Sequence, residues 1–201
     1  MPPTPPHAGL EPRRARRGLW YSSPETFIPV RSGSPMGQTT DNQSITPEMR
    51  PVIEELNRFA TQPDVLDALR QAAADARKSL RQNPHLAEAY AALDLSSVGC
   101  PVPAAIGSVR VVVTRGIGGA TIERHANSTQ YLLALDGAME THVHTPDGWR
   151  VDRYGQGNPA VLENRWHVVA PGVWHKSAAP GARNWGVVAF HSAREVSDEY
   201  Q

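Results

Sequence analysis

The stretch ERHANSTQYLLALDG, from Glu123 to Gly137, decides how the second half of the chain folds. Here polar residues interrupt an apolar pattern in an ordered way. Residues two apart in a strand point to the same side, so Glu123, His125 and Asn127 share one polar face. The next run begins at Gln130 and ends at a glycine, as a strand ending in a tight turn does. The pattern predicts two strands and leaves open whether the polar face is a metal site or a solvated surface.

Short runs with a period of two continue on both sides of this stretch, and prolines and glycines separate them. The eight runs read SVRVVVTRGI, ATIERHA, TQYLLALDG, AMETHVHTPDG, WRVDRY, AVLENRWHVVAPG, VWHKSA and NWGVVAFHSA. So many short strands in about 90 residues favour a closed sandwich or barrel. We therefore predict a mainly β domain over residues 96–201.

Ahead of the strands, from Thr46 to about Leu93, apolar residues recur at spacings of three and four, which is typical of helices. In a first helix, with Pro51 in its first turn, one face carries Val52, Ile53, Leu56, Phe59 and Ala60. In a second helix, from about Pro63 to Asn83, the apolar face carries Leu66, Leu69, Ala73, Ala76 and Leu80. A third short helix is predicted in PHLAEAYAALDL.

The chain therefore divides into three regions. Residues 1–44 are rich in proline and arginine and are predicted to be a disordered tail. Residues 45–95 form the helical segment, which braces the barrel or a partner subunit. Residues 96–201 form the barrel.

Composition narrows the classes of partner. Twenty basic and twenty acidic residues cancel, so no overall field attracts nucleic acid or a membrane surface. No stretch approaches the roughly 20 apolar residues that span a bilayer. The single cysteine, Cys100, excludes an internal disulfide and suits a cytoplasmic location. Since the chain also has no Ser-His-Asp signature and no phosphate-cradling glycine loop, acyl and phosphoryl transfer are not expected.

From about residue 108 to residue 193 the sequence resembles the cupin superfamily. The first cupin motif reads Gly-x5-His-x-His-x(3,4)-Glu-x6-Gly. With Gly137 as the anchor, Gln130 stands at the position of the glutamate, His125 at that of the second histidine and Glu123 at that of the first. The resemblance thus covers the stretch from Glu123 to Gly137.

The second cupin motif reads Gly-x5-Pro-x-Gly-x2-His-x3-Asn and is matched by VVAPGVWHKSAA. Gly172 and His175 match it, Pro171 lies one place late, and Ala179 stands where the family has asparagine. The resemblance implies a cupin-like jelly-roll β-barrel preceded by two or three α-helices. It also implies one divalent metal ion held by three histidines and a carboxylate.

In this chain the corresponding set is Glu123, His125 and His175, with Gln130 as a weak oxygen ligand or an outer hydrogen-bond donor. Two imidazoles and one carboxylate are the ligands of many non-haem iron sites, and manganese or zinc also accepts them. In the alternative interpretation, Glu123 pairs at the surface with Arg124 or Arg115. Both histidines are then satisfied by hydrogen bonds without a metal.

Two other histidine positions are predicted to lie outside the metal site. In METHVHT the apolar positions Met139 and Val143 should face inward, which sends His142 and His144 outward. His191 has a place near the barrel mouth, but a satisfied core histidine is the simpler expectation.

Two functions remain open from the sequence. The first is a metal-dependent enzyme acting on a small polar or carboxylate-bearing molecule, for which the resemblance allows oxygenase, isomerase, decarboxylase or lyase chemistry. Arg110, Arg115 or Arg183 is then a candidate for holding a carboxylate. The second is a non-catalytic small-molecule-binding or assembly cupin without metal. Because cupins often pair through sheet edges and helices, we expect a homodimer in either case.

Overall fold

The computed structural model describes residues 44–115, 121–180 and 185–201. Apart from Ser44, the predicted disordered tail at residues 1–44 lies outside the described residues. None of the described helices is long and apolar enough to cross a membrane.

Two α-helices lead into the strands, as predicted. Helix α1 spans Arg50–Ala60 and helix α2 spans Pro63–Gln82. Each has a proline in its first turn, where the missing N–H costs no helical hydrogen bond. The buried face of α2 differs from the prediction, because Val65 and Ala72 are also buried and Leu66 is only half-buried.

In the described part of the chain, ten antiparallel strands follow and form two five-stranded sheets. The strands are β1 Glu88–Leu93, β2 Ser108–Thr114, β3 Glu123–His125, β4 Gln130–Asp136, β5 Met139–Thr145, β6 Gly148–Tyr154, β7 Trp166–Val169, β8 His175–Ala178, β9 Trp185–His191 and β10 Asp198–Tyr200. Sheet A has the strand order β1-β2-β9-β4-β7, and sheet B has the order β10-β3-β8-β5-β6. Short 3-10 turns occur at Leu95–Ser97 and Leu162–Asn164.

The strand order is that of a jelly roll. Without the outer strands β1 and β10, the eight remaining strands give the sheets β2-β9-β4-β7 and β3-β8-β5-β6. This is the arrangement of two interlocked Greek keys across two facing sheets. The predicted mainly β, cupin-like jelly roll preceded by helices is confirmed, and all eight predicted strands are present.

The third helix predicted in PHLAEAYAALDL is wrong, because this segment contains β1. All six residues of β1 pair with β2, from Glu88 opposite Thr114 to Leu93 opposite Val109. Alanine, glutamate and leucine favour a helix locally, but pairing with the free edge of β2 outweighs that preference. Strand β10 was not predicted, since three residues are too few to show an alternating pattern.

Sheet A is buried on both faces. Its outer face packs against the two helices and its inner face packs against sheet B. As a result, all seven residues of the central strand β9 are buried. The outer contacts join Val109, Val111, Trp166, Val188 and Phe190 to Ile53, Leu56 and Leu69. The inner contacts join Leu132, Trp185, Val187 and Ala189 to Met139 and Tyr154.

Two glycines that anchor the family resemblance lie in turns with a left-handed backbone. Gly137 has a φ of 70° between β4 and β5, and Gly172 has a φ of 74° shortly before β8. Residues with a Cβ adopt this conformation at a cost, so glycine is favoured at both turns. The turn at Gly172 leads directly to His175.

Truncation of Leu69 should show how much the helices contribute to stability. Leu69 is fully buried between α2 and sheet A, so Leu69→Ala should lower the free energy of unfolding by about 2–5 kcal/mol. Leu66→Ala, on the same helix and half-buried, is the matched control and should cost less than half as much. Urea denaturation measures both, and equal losses would mean that the helices do not cover the sheet as described.

Candidate metal centre

Strands β3 and β8 bring three sequence-predicted ligands together. Glu123 lies directly opposite His175, and His125 follows two residues later on the same side of β3. The Oε1 atom of Glu123 is 3.7 Å from Nε2 of His125 and 3.7 Å from Nε2 of His175. The ligand atoms of all three residues lie within 4.8 Å of one another. Both imidazoles are buried in the barrel, with exposed fractions of 2% and 1%.

Hydrogen bonds at the far side of each ring fix the tautomers. Nδ1 of His125 is 2.8 Å from Oδ1 of Asp198, and Nδ1 of His175 is 2.9 Å from the backbone carbonyl oxygen of Val173. A carbonyl only accepts, and so does an ionised carboxylate. Each Nδ1 therefore carries a hydrogen and donates it, so in the neutral ring the lone pair lies on Nε2.

Asp198 is ionised in this arrangement. Burial alone would raise the pKa of Asp198, but hydrogen bonds from His125 and Arg110 outweigh burial and lower the pKa to about 2. Nη1 of Arg110 donates to Oδ2 of Asp198 at 2.8 Å. A carboxylate behind a histidine in this way orients the ring and raises its basicity as a ligand.

A carboxyl oxygen atom of Glu123 and two imidazole nitrogen atoms thus face the same place. Nε2 of His125 and Nε2 of His175 are buried and have no hydrogen-bond partner among the described residues. The 3.7 Å separation from Glu123 is too long for a hydrogen bond. Two ligands that are each about 2.1 Å from one ion lie roughly 3.4 Å apart at a tetrahedral angle and at most about 4.2 Å apart. The two 3.7 Å separations fit a shared cation.

The protonation states agree with this geometry only in part. Burial lowers the pKa of His175 to about 4, so its lone pair is available at neutral pH. Burial raises the pKa of Glu123 to about 7, although the nearby His125 opposes the increase. Without a cation, a proton therefore remains on Glu123 up to about neutral pH. A bound cation would displace that proton.

The alternative in which Glu123 pairs with a surface arginine is wrong. Nε of Arg124 donates to Glu199 at 2.9 Å, and the Arg124 guanidinium lies 4.7 Å from the centre of the Trp174 ring. Arg115 donates to the backbone carbonyl oxygen atoms of Leu80 and Pro84.

Gln130 and His191 form a second pair of polar side chains inside the barrel. They lie directly opposite each other on β4 and β9, and both are buried. The centre of the His191 ring is 4.8 Å from that of His125, and the two rings are nearly perpendicular, at 89°. Oε1 of Gln130 and Nδ1 of His191 have no hydrogen-bond partner within the described ranges. The expectation that His191 is a satisfied core histidine is therefore wrong at Nδ1.

The two histidines of β5 face away from the barrel, as predicted. Met139, Thr141 and Val143 are buried, whereas His142 is half-buried and His144 is exposed. Nε2 of His142 lies 3.6 Å from Glu140 on the same outer face.

A further polar group, which the sequence analysis missed, lines the interior near β6 and β7. Asp152 is fully buried and accepts hydrogen bonds at 2.9 and 2.8 Å from two nitrogen atoms of Arg150. Nδ1 of His167 lies 3.8 Å from Asp152, and the His167 ring stacks on Tyr154 with a centroid distance of 5.5 Å. Burial, with a smaller effect of His175, lowers the pKa of His167 to about 3. In the run WRVDRY, Asp152 lies two residues before Tyr154 and therefore on the same face of the strand. This spacing could have predicted that Asp152 points inward.

Asp198 was also missed, although it orients His125. It lies 73 residues further along the chain, on a strand too short to recognise. Of the three arginines considered for a carboxylate, Arg110 lies beside the centre, Arg115 caps α2, and Arg183 is outside the described residues.

Several proteins of known structure are similar to part of this chain. No family model and no curated protein matches the chain. Oxalate decarboxylase from Bacillus subtilis is similar over 57% of this chain and 28% of its own, with 12% identity and a TM-score of 0.45. The Lactobacillus farciminis oxalate decarboxylase is similar over 57% and 31%, with 16% identity and a TM-score of 0.44. Peruvianin-I from Thevetia peruviana latex is similar over 47% and 55%, with 14% identity and a TM-score of 0.40.

This chain therefore spans less than a third of the length of either oxalate decarboxylase. The assignment of fold rests on the strand order, in which β2 to β9 form the two sheets of a jelly roll. Together with the positions of Glu123, His125, Gln130 and His175 on the strands that carry the two motifs, this order makes the chain a cupin-like jelly roll.

The pH dependence of stability should reveal the buried carboxyl group. In the folded, metal-free protein the pKa of Glu123 is about 7, above its ordinary value of 4.5. The stabilisation from this group is present below about pH 4.5 and is lost as the pH rises toward 7. Glu123→Gln cannot ionise, so with a chelator present it should gain stability over the wild type between about pH 5 and pH 8, on the order of 2 kcal/mol.

The effect of His175 has the opposite sign and cancels in this comparison. Its pKa is lowered from 6.5 to about 4, so its stabilisation is lost as the pH falls through that interval in both proteins. Glu55→Gln, on the exposed side of α1, is the control for a surface carboxyl group. Thermal melts at several pH values measure the difference, and a difference that stays constant with pH would contradict the burial of Glu123.

Proposed function

We propose that this protein is a metal-dependent, cupin-type enzyme that acts on a small polar or carboxylate-bearing molecule. The observation that carries the proposal is the convergence of Glu123, His125 and His175 inside the barrel, where neither Nε2 atom has a hydrogen-bond partner among the described residues. Buried polar atoms that lack a partner cost about 1–3 kcal/mol each. A cation between them would remove that cost.

The ligand set gives each residue a defined task. His125 and His175 would bind a divalent ion through Nε2, and Glu123 would bind it through a carboxylate oxygen. Gln130 would serve as a weak oxygen ligand or as a hydrogen-bonding neighbour. Iron, manganese and zinc all accept two imidazoles and a carboxylate, and three protein ligands leave positions open for water and substrate.

When bound, such an ion would polarise an oxygen atom of the substrate. The surrounding residues would provide orientation and exclude water. Asp198 would hold the His125 ring in its ligating tautomer, and Arg110 would keep Asp198 ionised. Oxygenase, isomerase and lyase chemistry are all compatible with this arrangement.

A metal-free binding or assembly role is the second candidate, and one observation favours it. Because the pKa of Glu123 is raised to about 7, a proton on this carboxyl group can occupy the centre near neutral pH. A barrel that binds a small molecule without metal would use the same cavity. The metal content of the purified protein distinguishes the two candidate functions. A homodimer in the cytoplasm remains our prediction for either.

Removal of either histidine should abolish metal binding. Wild-type protein loaded with iron, manganese or zinc should hold one ion per chain, and His125→Ala and His175→Ala should each lose most of it while remaining folded. Gln130→Ala should lose less. His142→Ala removes a histidine from the outer face of the same sheet and should leave metal content unchanged. Elemental analysis and circular dichroism make the measurement.

A wild-type protein that takes up no iron, manganese or zinc would contradict the proposed enzyme and favour the metal-free role. Loss of metal in His142→Ala equal to that in His175→Ala would place the ion outside the barrel.

Asp198, which accepts the hydrogen bond from Nδ1 of His125, should affect metal affinity without being a ligand. Asp198→Asn removes the negative charge that fixes the His125 ring, so metal affinity should fall by about 10- to 100-fold. Glu199→Gln, the adjacent residue on β10, removes a charge that pairs with Arg124 and should change affinity little. Competition with a chelator measures both. Equal effects of the two variants would mean that Asp198 acts through general charge and not through His125.

A further inference from the structure

Next to the three candidate ligands, the barrel holds two buried side chains that each have one polar atom without a partner among the described residues. Gln130 and His191 are 4% and 1% exposed, and their strands place them directly opposite each other on the inner face of sheet A. Oε1 of Gln130 and Nδ1 of His191 accept or donate no hydrogen bond within the described residues. These two atoms on neighbouring strands, beside His125, form a polar wall next to the apolar residues Leu132 and Ala189.

His191 lies beside the centre without being one of its three candidate ligands. Its ring centre is 4.8 Å from that of His125, and the candidate ligand group comprises Glu123, His125 and His175. A group that hydrogen-bonds an oxygen atom bound to the ion sits up to about 5 Å from the ion, since a bond of about 2.1 Å and a contact of about 2.8 Å add. The place of His191 beside His125 suits this role.

Positive charge beside this wall favours an anion. Arg110 lies opposite Ala189 on the inner face of sheet A, on the strand next to that of His191, and its guanidinium reaches Asp198. A bound divalent cation would add further positive charge. A carboxylate has the opposite charge and also accepts hydrogen bonds.

We propose that His191 and Gln130 form a hydrogen-bonding wall that holds a carboxylate group of the substrate at the metal ion. This inference rests on the proposed function and adds the residues that recognise the substrate. The amide of Gln130 presents its NH2 group to an acceptor when it rotates, and a neutral imidazole presents Nδ1–H in one of its two tautomers. Both side chains therefore supply donors to a carboxylate whose other contact is the ion.

Acetate is the simplest probe of this wall. The protein is loaded with Co²⁺, and the change in its visible absorption is followed as acetate is added. In the wild type we expect saturable binding of acetate. His191→Phe keeps an aromatic ring beside His125 but removes the polar atom, so acetate affinity should fall about 10-fold or more, as for the loss of a hydrogen bond to a charged group. Affinity for Co²⁺ should stay within about threefold.

Two further variants separate hydrogen bonding from packing. His191→Asn places an amide near the position of Nδ1 and should recover most of the acetate affinity. Gln130→Met keeps the shape of the side chain without its polar atoms and should weaken acetate binding independently of position 191. His144→Phe, on the exposed outer face, is the matched control and should match the wild type. Circular dichroism checks that every variant is folded. If His191→Phe does not fold, the acetate affinity of Gln130→Met tests the proposed wall.

The outcomes distinguish this inference from the proposed function. Failure of the wild type to bind Co²⁺ would overturn both. Normal binding of Co²⁺ without an acetate response would contradict the proposed role of the wall and leave the metal site intact. Equal acetate affinity in the wild type, His191→Phe and Gln130→Met would do the same. Loss of Co²⁺ from His191→Phe as large as that from His175→Ala would make His191 a metal ligand, which also contradicts the inference.

Discussion

Burial of sheet A on both of its faces is the constraint on which the rest of the structure depends. Helices α1 and α2 cover the outer face, so the strands of this sheet carry apolar side chains in both directions, and β9 is buried along its whole length. Sheet A thus becomes a rigid wall against which sheet B closes the barrel. Polar side chains that point into the space between the sheets are removed from water, whether or not the chain supplies partners for them. The chemistry of the interior follows from that enclosure.

Within the barrel, the hydrogen bonds at the outer edges of two imidazoles determine what the centre can bind. Asp198 takes the Nδ1 hydrogen of His125, and the carbonyl group of Val173 takes that of His175. Both Nε2 atoms are then lone-pair donors directed at the carboxyl group of Glu123. Either a proton or a metal ion can occupy the space between these atoms. Because the pKa of Glu123 is about 7, the two compete near neutral pH. Strand β10 therefore contributes to the centre without containing any of its three ligands.

The sequence predicts much of this arrangement, and the exceptions have physical causes. Alternation in the run from Glu123 to His125 correctly predicts their shared face, and the position of Gly137 correctly predicts the turn after β4. Segment β1 is misread as a helix because its composition favours one, while the partner strand that overrides this preference is distant in sequence. Asp198 and the open polar atom of His191 are invisible from the sequence for a related reason. Both depend on contacts between strands that are far apart along the chain, and no local pattern encodes which polar atoms remain without a partner.

The proposed function requires one divalent ion among Glu123, His125 and His175. Anomalous diffraction from crystals soaked in Mn²⁺ or Zn²⁺ is the sharpest test, because the signal locates the ion itself. We expect one strong peak inside the barrel, about 2.0–2.2 Å from both Nε2 atoms and from a carboxylate oxygen of Glu123. A peak confined to the outer face near Glu140 and His142 would contradict it. So would an interior without a peak, in which Glu123 has moved to within hydrogen-bond distance of one of the two imidazoles.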